Sequence, residues 1–192
     1  KALSEIMHPK CNYFHVEEAL RPNFIVQKHL WMGINNKKIR LVSTGCSTFW
    51  KGPDMMLKTA KILTNLNIDF EWNVAGKIPS DIQMIVERKE KVSFADCKVR
   101  FLGFLQSEDL LTLLKTSSLY VHTAYIENSP NSICEAQCVG IPIVSTNVGG
   151  ISTLVQHNKN GVLVPANDPW QMADAILELF ADKERMNAYS RN

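Results

Sequence analysis

From Lys38 onward the hydrophobic positions alternate between two patterns. Short runs rich in β-branched and aromatic residues give way to turns, and then to stretches whose apolar residues recur at helical spacing. The short runs predict strands over 39–44 (IRLVST), 70–75 (FEWNVA), 99–102 (VRFL), 119–123 (LYVHT), 141–145 (IPIVS) and 161–164 (GVLV). Most are almost continuously apolar, as strands covered on both faces must be. Helices are predicted over 53–66, 80–91, 107–115, 130–139, 151–156 and 169–180. Ser107 ahead of a Leu110, Leu111, Leu114 stripe and Asp168 ahead of Pro169 both read as N-caps. Pro142 weakens the boundary of its strand, because proline donates nothing to a ladder. Six strand–helix steps in succession predict an α/β fold, a doubly wound, mainly parallel Rossmann-like sheet with helices on both faces.

Residues 1–37 stand outside this repeat. They hold Tyr13, Phe14, Phe24 and Trp31 without clear periodicity, and are expected to be a linker or N-terminal extension that packs on something, with 38–192 as the domain.

Composition narrows the function classes. Of 192 residues, 45% are hydrophobic and 21% charged, which is globular usage. A formal net charge of +2 is too small for a surface built to take nucleic acid or anionic lipid. Cys11, Cys46, Cys97, Cys134 and Cys138 form an odd, scattered set without CxxC, so neither a disulfide framework nor a zinc site is indicated and a cytoplasmic location is expected. Cys134 and Cys138, four apart on one helix, are expected to pack as small apolar residues. The first residue is Lys1 and no signal-peptide core follows it, so the chain is expected to begin in mid-protein.

In an open parallel sheet, ligands bind beyond the carboxyl ends of the strands, so the loops after the strands carry the candidate chemistry. The first is Gly45-Cys46-Ser47-Thr48-Phe49-Trp50-Lys51-Gly52, which is neither a P-loop nor a dinucleotide fingerprint. It leaves Lys51 at a helix N-terminus beside Gly52, an arrangement suited to a phosphate and equally to a solvated lysine at a turn. The second loop holds Glu127, Asn128, Ser129, Pro130, Asn131, Ser132 and Glu135, with Ser129 expected to cap the helix. Two carboxylates at such a rim suit the hydroxyls of a sugar or ribose. The third loop carries Gly149 and Gly150, which admit either close approach of ligand oxygens or a simple turn. Gly76 and Gly103 supply further turns, and Phe104 after them is expected to be core or turn packing.

Taken together, the KG after the first strand, the E-x7-E that encloses PNS, EAQCVGIPIVSTNVGG and GVLVPANDP resemble the C-terminal, donor-binding domain of a retaining GT-B glycosyltransferase of family 4 (glycosyl transferases group 1). The resemblance covers about 38–182. It implies a nucleoside-diphosphate sugar of UDP or GDP type as donor substrate, no cofactor, no metal, and transfer to an acceptor hydroxyl in polysaccharide or glycoconjugate synthesis. It further implies Glu135 on the ribose, Glu127 on the donor sugar or its neighbouring phosphate, and Lys51 on the diphosphate, with Lys51 and Glu127 as the catalytic pair. Asn128, Ser129, Pro130, Asn131 and Ser132 match the loop that approaches the sugar. Gly45, Ser47, Gly52, Gly76, Gly149 and Gly150 fall in the donor-binding turns, and Phe104 and Leu105 in the stretch that meets the base.

Three departures stand out. Cys46 holds the place where the family usually has an arginine, so phosphate contact passes to Ser47, Thr48 and backbone N–H groups, or to an arginine elsewhere. Asn128-Ser129-Pro130 replaces the usual Gly-Phe-Gly. Family enzymes also have an N-terminal GT-B domain for the acceptor, which is the expected partner of this half in a parent expected to be membrane-peripheral. A sugar-nucleotide epimerase of the same architecture and a degenerate, non-catalytic binding module are the competing readings.

Overall fold

The computed structural model describes residues 6–12, 19–25, 31–33 and 37–191. After a short helix α1 (Pro22–Ile25), the chain alternates strand and helix. The order is β1 (Ile39–Thr44), a 3-10 turn (Phe49–Lys51), α2 (Pro53–Asn65), β2 (Phe70–Ala75), α3 (Ser80–Glu90), β3 (Val99–Phe101) and α4 (Ser107–Thr116). It continues with β4 (Leu119–His122), α5 (Asn131–Val139), β5 (Ile143–Thr146), α6 (Ile151–Leu154), β6 (Gly161–Val164), α7 (Pro169–Ala181) and α8 (Lys183–Arg191). The strands form one sheet in the order β3-β2-β1-β4-β5-β6, every pairing parallel. From β1 the chain steps outward through β2 and β3, then returns to place β4 on the other side of β1. The loops leaving β1 and β4 therefore diverge, and a crevice opens between them.

Successive side chains explain the two layers. Leu41 and Val42, Leu119 and Tyr120, and Val144 and Ile143 point to opposite faces and join two separate hydrophobic clusters. One cluster collects Met55, Leu57, Ala60 and Leu63 of α2 with Met172, Ile176 and Leu179 of α7; the other collects Leu110, Leu111 and Leu114 of α4 with Ile133, Ala136 and Val139 of α5. Two buried polar side chains between strands satisfy one another in a chain, since Trp72 Nε1 donates to Ser43 Oγ (2.9 Å) and Ser43 Oγ to the carbonyl of Val121 (2.6 Å).

Phe24 is fully buried in the second cluster, and the Trp31 indole donates to the Ser117 carbonyl at 2.8 Å. Phe24 and Trp31 thus pack on this domain, whereas residues 6–12 are exposed; Tyr13 and Phe14 lie outside the described residues. Asp168 caps α7 as expected, accepting from Gln171 N at 3.0 Å. Ser107 does not cap α4: Gln106 holds the cap position, and the Ser107 hydroxyl accepts from Asn23 Nδ2 instead. The fifth strand begins after Pro142, which offers only its carbonyl to Tyr120 N, rather than at 141. The last helix, α8, buries Met186 and Tyr189, two residues too few to make an apolar stripe legible in sequence. Among the described residues, no helix is long and apolar enough to cross a membrane.

Candidate functional site

Three loops leave the carboxyl ends of β1, β4 and β5, and their mutual contacts build one rim. Gly52 adopts a left-handed conformation, and a Cβ there would lie 1.9 Å from the Thr123 carbonyl oxygen, so glycine alone lets the first loop rest against the end of β4. Thr123 Oγ1 donates to the Lys51 carbonyl (3.0 Å), and Tyr125 N donates to the Trp50 carbonyl (2.7 Å). On the other side Thr146 Oγ1 donates to the Ala124 carbonyl at 2.6 Å. A Cβ on Gly149 would meet the Glu127 carbonyl oxygen at 1.7 Å, and one on Gly150 the Asn128 carbonyl oxygen at 1.9 Å. The atoms that approach the paired glycines are thus the main chain of the second loop.

This scaffold brings Lys51 and Glu127 together. Lys51 Nζ donates to Glu127 Oε1, and His122 Nε2, at the end of β4, lies 3.3 Å from the same oxygen without good hydrogen-bond alignment. The Glu127 side chain is only 8% exposed. Burial pushes its carboxyl up, but the approach of His122 and the hydrogen bond and charge of Lys51 more than offset this and hold it down at about 2. Glu127 is therefore a fixed negative charge pinned by a cation.

Glu135, buried on α5, lines a separate hollow of about 400 Å³ together with Arg21, Thr44, Gly76, Leu105, Asn131 and Ser132. Its polar lining residues Thr44 and Ser132 bond inward. Thr44 Oγ1 and the Tyr120 hydroxyl share a hydrogen bond of 2.7 Å, and Ser132 also bonds the Tyr120 phenol, which burial pushes up to about 12. Arg21 forks Glu135, with Nε donating to Oε1 at 2.6 Å and Nη2 to Oε2 at 2.7 Å. Lys51 and Glu127 are not among the residues that line this hollow.

The remaining sequence candidates spread around the rim. Gly45 and Ser47 are exposed, and Asn128 is exposed at the loop tip. A Cβ on Gly76 would lie 3.3 Å from the Gly45 main chain, and the Gly76 N–H donates to the Gly103 carbonyl at 2.8 Å. Ser129 does not cap α5. Pro130 holds that position, and its carbonyl takes the first helical bond from Ile133 N (3.0 Å), so the N–H groups of Asn131 and Ser132 precede the intrahelical ladder. Phe104, expected as core or turn packing, is 80% exposed and lines the hollow, next to the Gly76–Gly103 bridge. Cys46 is fully buried, and burial together with the nearby Asp54 charge pushes its thiol up to about 12. The side chain at the position where the resemblance expects an arginine therefore points into the core and not at the rim. Cys134 and Cys138 are half-buried.

The family model for glycosyl transferases group 1 matches residues 31–192. The chain belongs to that family. D-inositol 3-phosphate glycosyltransferase of Paenarthrobacter aurescens (strain TC1) is 26% identical to it over 171 residues, covering 86% of this chain and 41% of that protein. The chain thus spans about two-fifths of the length of this curated relative. Among solved structures, Anabaena Alr3699/HepE in complex with UDP and glucose superposes with a TM-score of 0.67 at 22% identity, over 81% of this chain and 42% of that one. The C-terminal domain of the group 1 glycosyl transferase LpcC from Francisella tularensis gives a TM-score of 0.65 at 19% identity, over 85% of this chain and 91% of that one. The fold is accordingly one Rossmann-like half of a GT-B architecture.

Sequence reasoning missed four residues of this glycosyltransferase domain: His122, Arg21, Thr44 and Tyr120. Thr44 and His122 end β1 and β4, the two strands flanking the switch point, and that position alone was the available signal. Nothing local marks Arg21, whose partner lies 114 positions away.

Proposed function

We propose that this chain is the C-terminal, donor-binding half of a retaining glycosyltransferase of family 4, which moves a sugar from a nucleoside diphosphate to an acceptor hydroxyl in polysaccharide or glycoconjugate synthesis. The observation that carries this reading is what the loop after β4 holds at the β1/β4 switch point: a buried carboxylate that pairs with Lys51, and, on the helix that follows the same loop, a second buried carboxylate lining a hollow. In this reading Glu135 takes the ribose hydroxyls, since an ionised carboxylate is an acceptor that matches a diol. Phe104 and Leu105 flank the base. Glu127, with the main chain of Asn128, Ser129, Pro130 and Asn131, faces the donor sugar or its neighbouring phosphate.

As the anomeric carbon–oxygen bond breaks, negative charge grows on the departing diphosphate, and Lys51 and the free N–H groups at the start of α5 are placed to stabilise it. The acceptor hydroxyl attacks with retention, and the second GT-B domain of the parent chain supplies the acceptor site. HepE, of like fold, was solved with UDP and glucose, which favours a uridine donor over a guanosine one. A cytoplasmic location accords with such a donor.

The test is a thermal-shift and calorimetric screen of the chain against UDP, GDP, ADP and their sugars, because a ligand at about 100 times its Kd stabilises the fold by about 2.7 kcal/mol. A shift with one base class is expected. A folded chain that binds none of them excludes donor binding. In the parent, transfer to an acceptor supports this reading, whereas interconversion of free donor points to an epimerase and binding without turnover to a non-catalytic module.

A further inference from the structure

We infer that Arg21 is a ligand-contacting residue at the nucleoside end of the donor pocket, supplied by the N-terminal segment. This rests on the donor-binding reading above. Two facts place a second cation at this wall and not at the Cys46 position of the first loop. Cys46 is buried in the core and presents no polar group to the rim, whereas Arg21 lines the same hollow as Glu135, Gly76, Phe104 and Leu105.

The guanidinium is held from two sides. Nε and Nη2 fork the Glu135 carboxylate, the Arg21 Cζ lies 5.0 Å from the centroid of the Phe24 ring, and Phe24 is itself fully buried. Asn23, next but one in the chain, donates to Ser107 Oγ at 3.2 Å and ties the segment to α4. An anchored segment is part of the pocket wall, not a strap lying across it.

Two consequences follow for a nucleotide. An arginine fork holds a carboxylate in one plane, so Glu135 meets a diol with its remaining lone pairs already oriented. Five N–H groups are available on a guanidinium and the fork uses one on Nε and one on Nη2, which leaves two on Nη1 and one on Nη2 to donate to the ribose oxygens or a base carbonyl in the hollow. The diphosphate belongs to the Lys51 end of the rim, so Arg21 and Lys51 divide the donor between them.

Calorimetric titration of the chain with UMP, GMP, UDP, GDP and inorganic pyrophosphate tests this, using wild type, Arg21→Ala, Arg21→Lys and Lys51→Ala. Arg21→Ala is expected to weaken the mononucleotide that wild type binds and its diphosphate alike, by about ten- to a hundredfold, the loss typical of a hydrogen bond to a charged group. Pyrophosphate binding should be unchanged in Arg21→Ala and lost in Lys51→Ala. Arg21→Lys keeps the charge without the fork and should recover part of the mononucleotide affinity, which also covers the case in which the alanine variant folds poorly. If Arg21→Ala binds mononucleotide as wild type does, the ion pair is purely structural and the inference falls while donor binding stands. Tighter binding by that variant makes Arg21 an obstruction and overturns it equally. A folded wild type that binds no nucleotide removes both readings.

Discussion

Lys51 and Glu127 lie 76 positions apart in sequence and share a hydrogen bond at the rim of the crevice. Neither arrives there by its own local structure. Lys51 ends a single 3-10 turn, and Glu127 sits in a loop outside any helix or strand. They meet because β1 and β4 are neighbours in the sheet and because Gly52 lets the first loop lie directly on the Thr123 carbonyl. The sheet topology makes the pairing, and the pairing helps hold the Glu127 carboxyl ionised.

Replacement of Lys51 by alanine in the full-length parent is expected to lower kcat by about 10²- to 10³-fold, by analogy with the loss of one preorganised donor to developing negative charge. KM for the donor should move less than kcat, since the interaction strengthens as the diphosphate departs. Steady-state kinetics with the parent's own donor and acceptor check this. Unaltered turnover would exclude Lys51 from leaving-group stabilisation.

The Glu127 carboxyl, held at about 2 against an ordinary 4.5, predicts a defined acid sensitivity. Its folded pKa lies below its unfolded one, so the stability it contributes is complete above about 4.5 and disappears as pH falls toward about 2. Urea unfolding of wild type and Glu127→Gln across this range should show a stability gap that is constant near neutrality and closes on acidification. A gap that does not vary with pH would mean that the carboxylate is not selectively stabilised in the folded state.

The fold was legible because its signals are local and repeated. Strands β1, β2 and β6 fall on their expected residues, since each is a dense apolar run bounded by turns. Helix ends slipped by a residue where a cap was chosen by tertiary contact, as when Pro130 displaced Ser129. Lys51, Glu127 and Glu135 were marked by loop position and spacing, which identify a strand–loop–helix edge. The carboxylate that Lys51 meets, the approach of His122 and the fork from Arg21 depend on which strands become neighbours and on how the first residues fold back. Those are long-range outcomes that no window of sequence encodes.

Cysteine reactivity offers a test of the core that is independent of ligand. The Cys46 thiol is fully buried and pushed up to about 12, and burial also raises Cys97, whereas Cys11 is exposed. The thiolate is the reactive form, so Cys11 should be alkylated by iodoacetamide at pH 8 well before Cys46 and Cys97. The latter two should label only as the chain unfolds. Peptide mass spectrometry over a time course resolves the order, and early modification of Cys46 would place that side chain at the rim after all.

The paired glycines give the sharpest test of how the second loop is carried. Gly149 has φ +52, and a Cβ there would fall 1.7 Å from the Glu127 carbonyl oxygen, a distance that forces the main chain apart. Gly150→Ala meets the Asn128 carbonyl oxygen at 1.9 Å without the left-handed backbone, so it isolates the steric part of the effect. Overpacking of this kind costs about 1–3 kcal/mol, or about 2–4 °C in Tm per kcal/mol for a domain of this size. The Gly149→Ala loss should exceed that of Gly150→Ala, because it adds backbone strain. Both variants displace the loop that bears Glu127, so donor affinity should fall with Tm, while the Cys46 and Cys97 thiols stay protected because the core beneath is untouched. Melting curves unchanged from wild type would show that the second loop rests elsewhere.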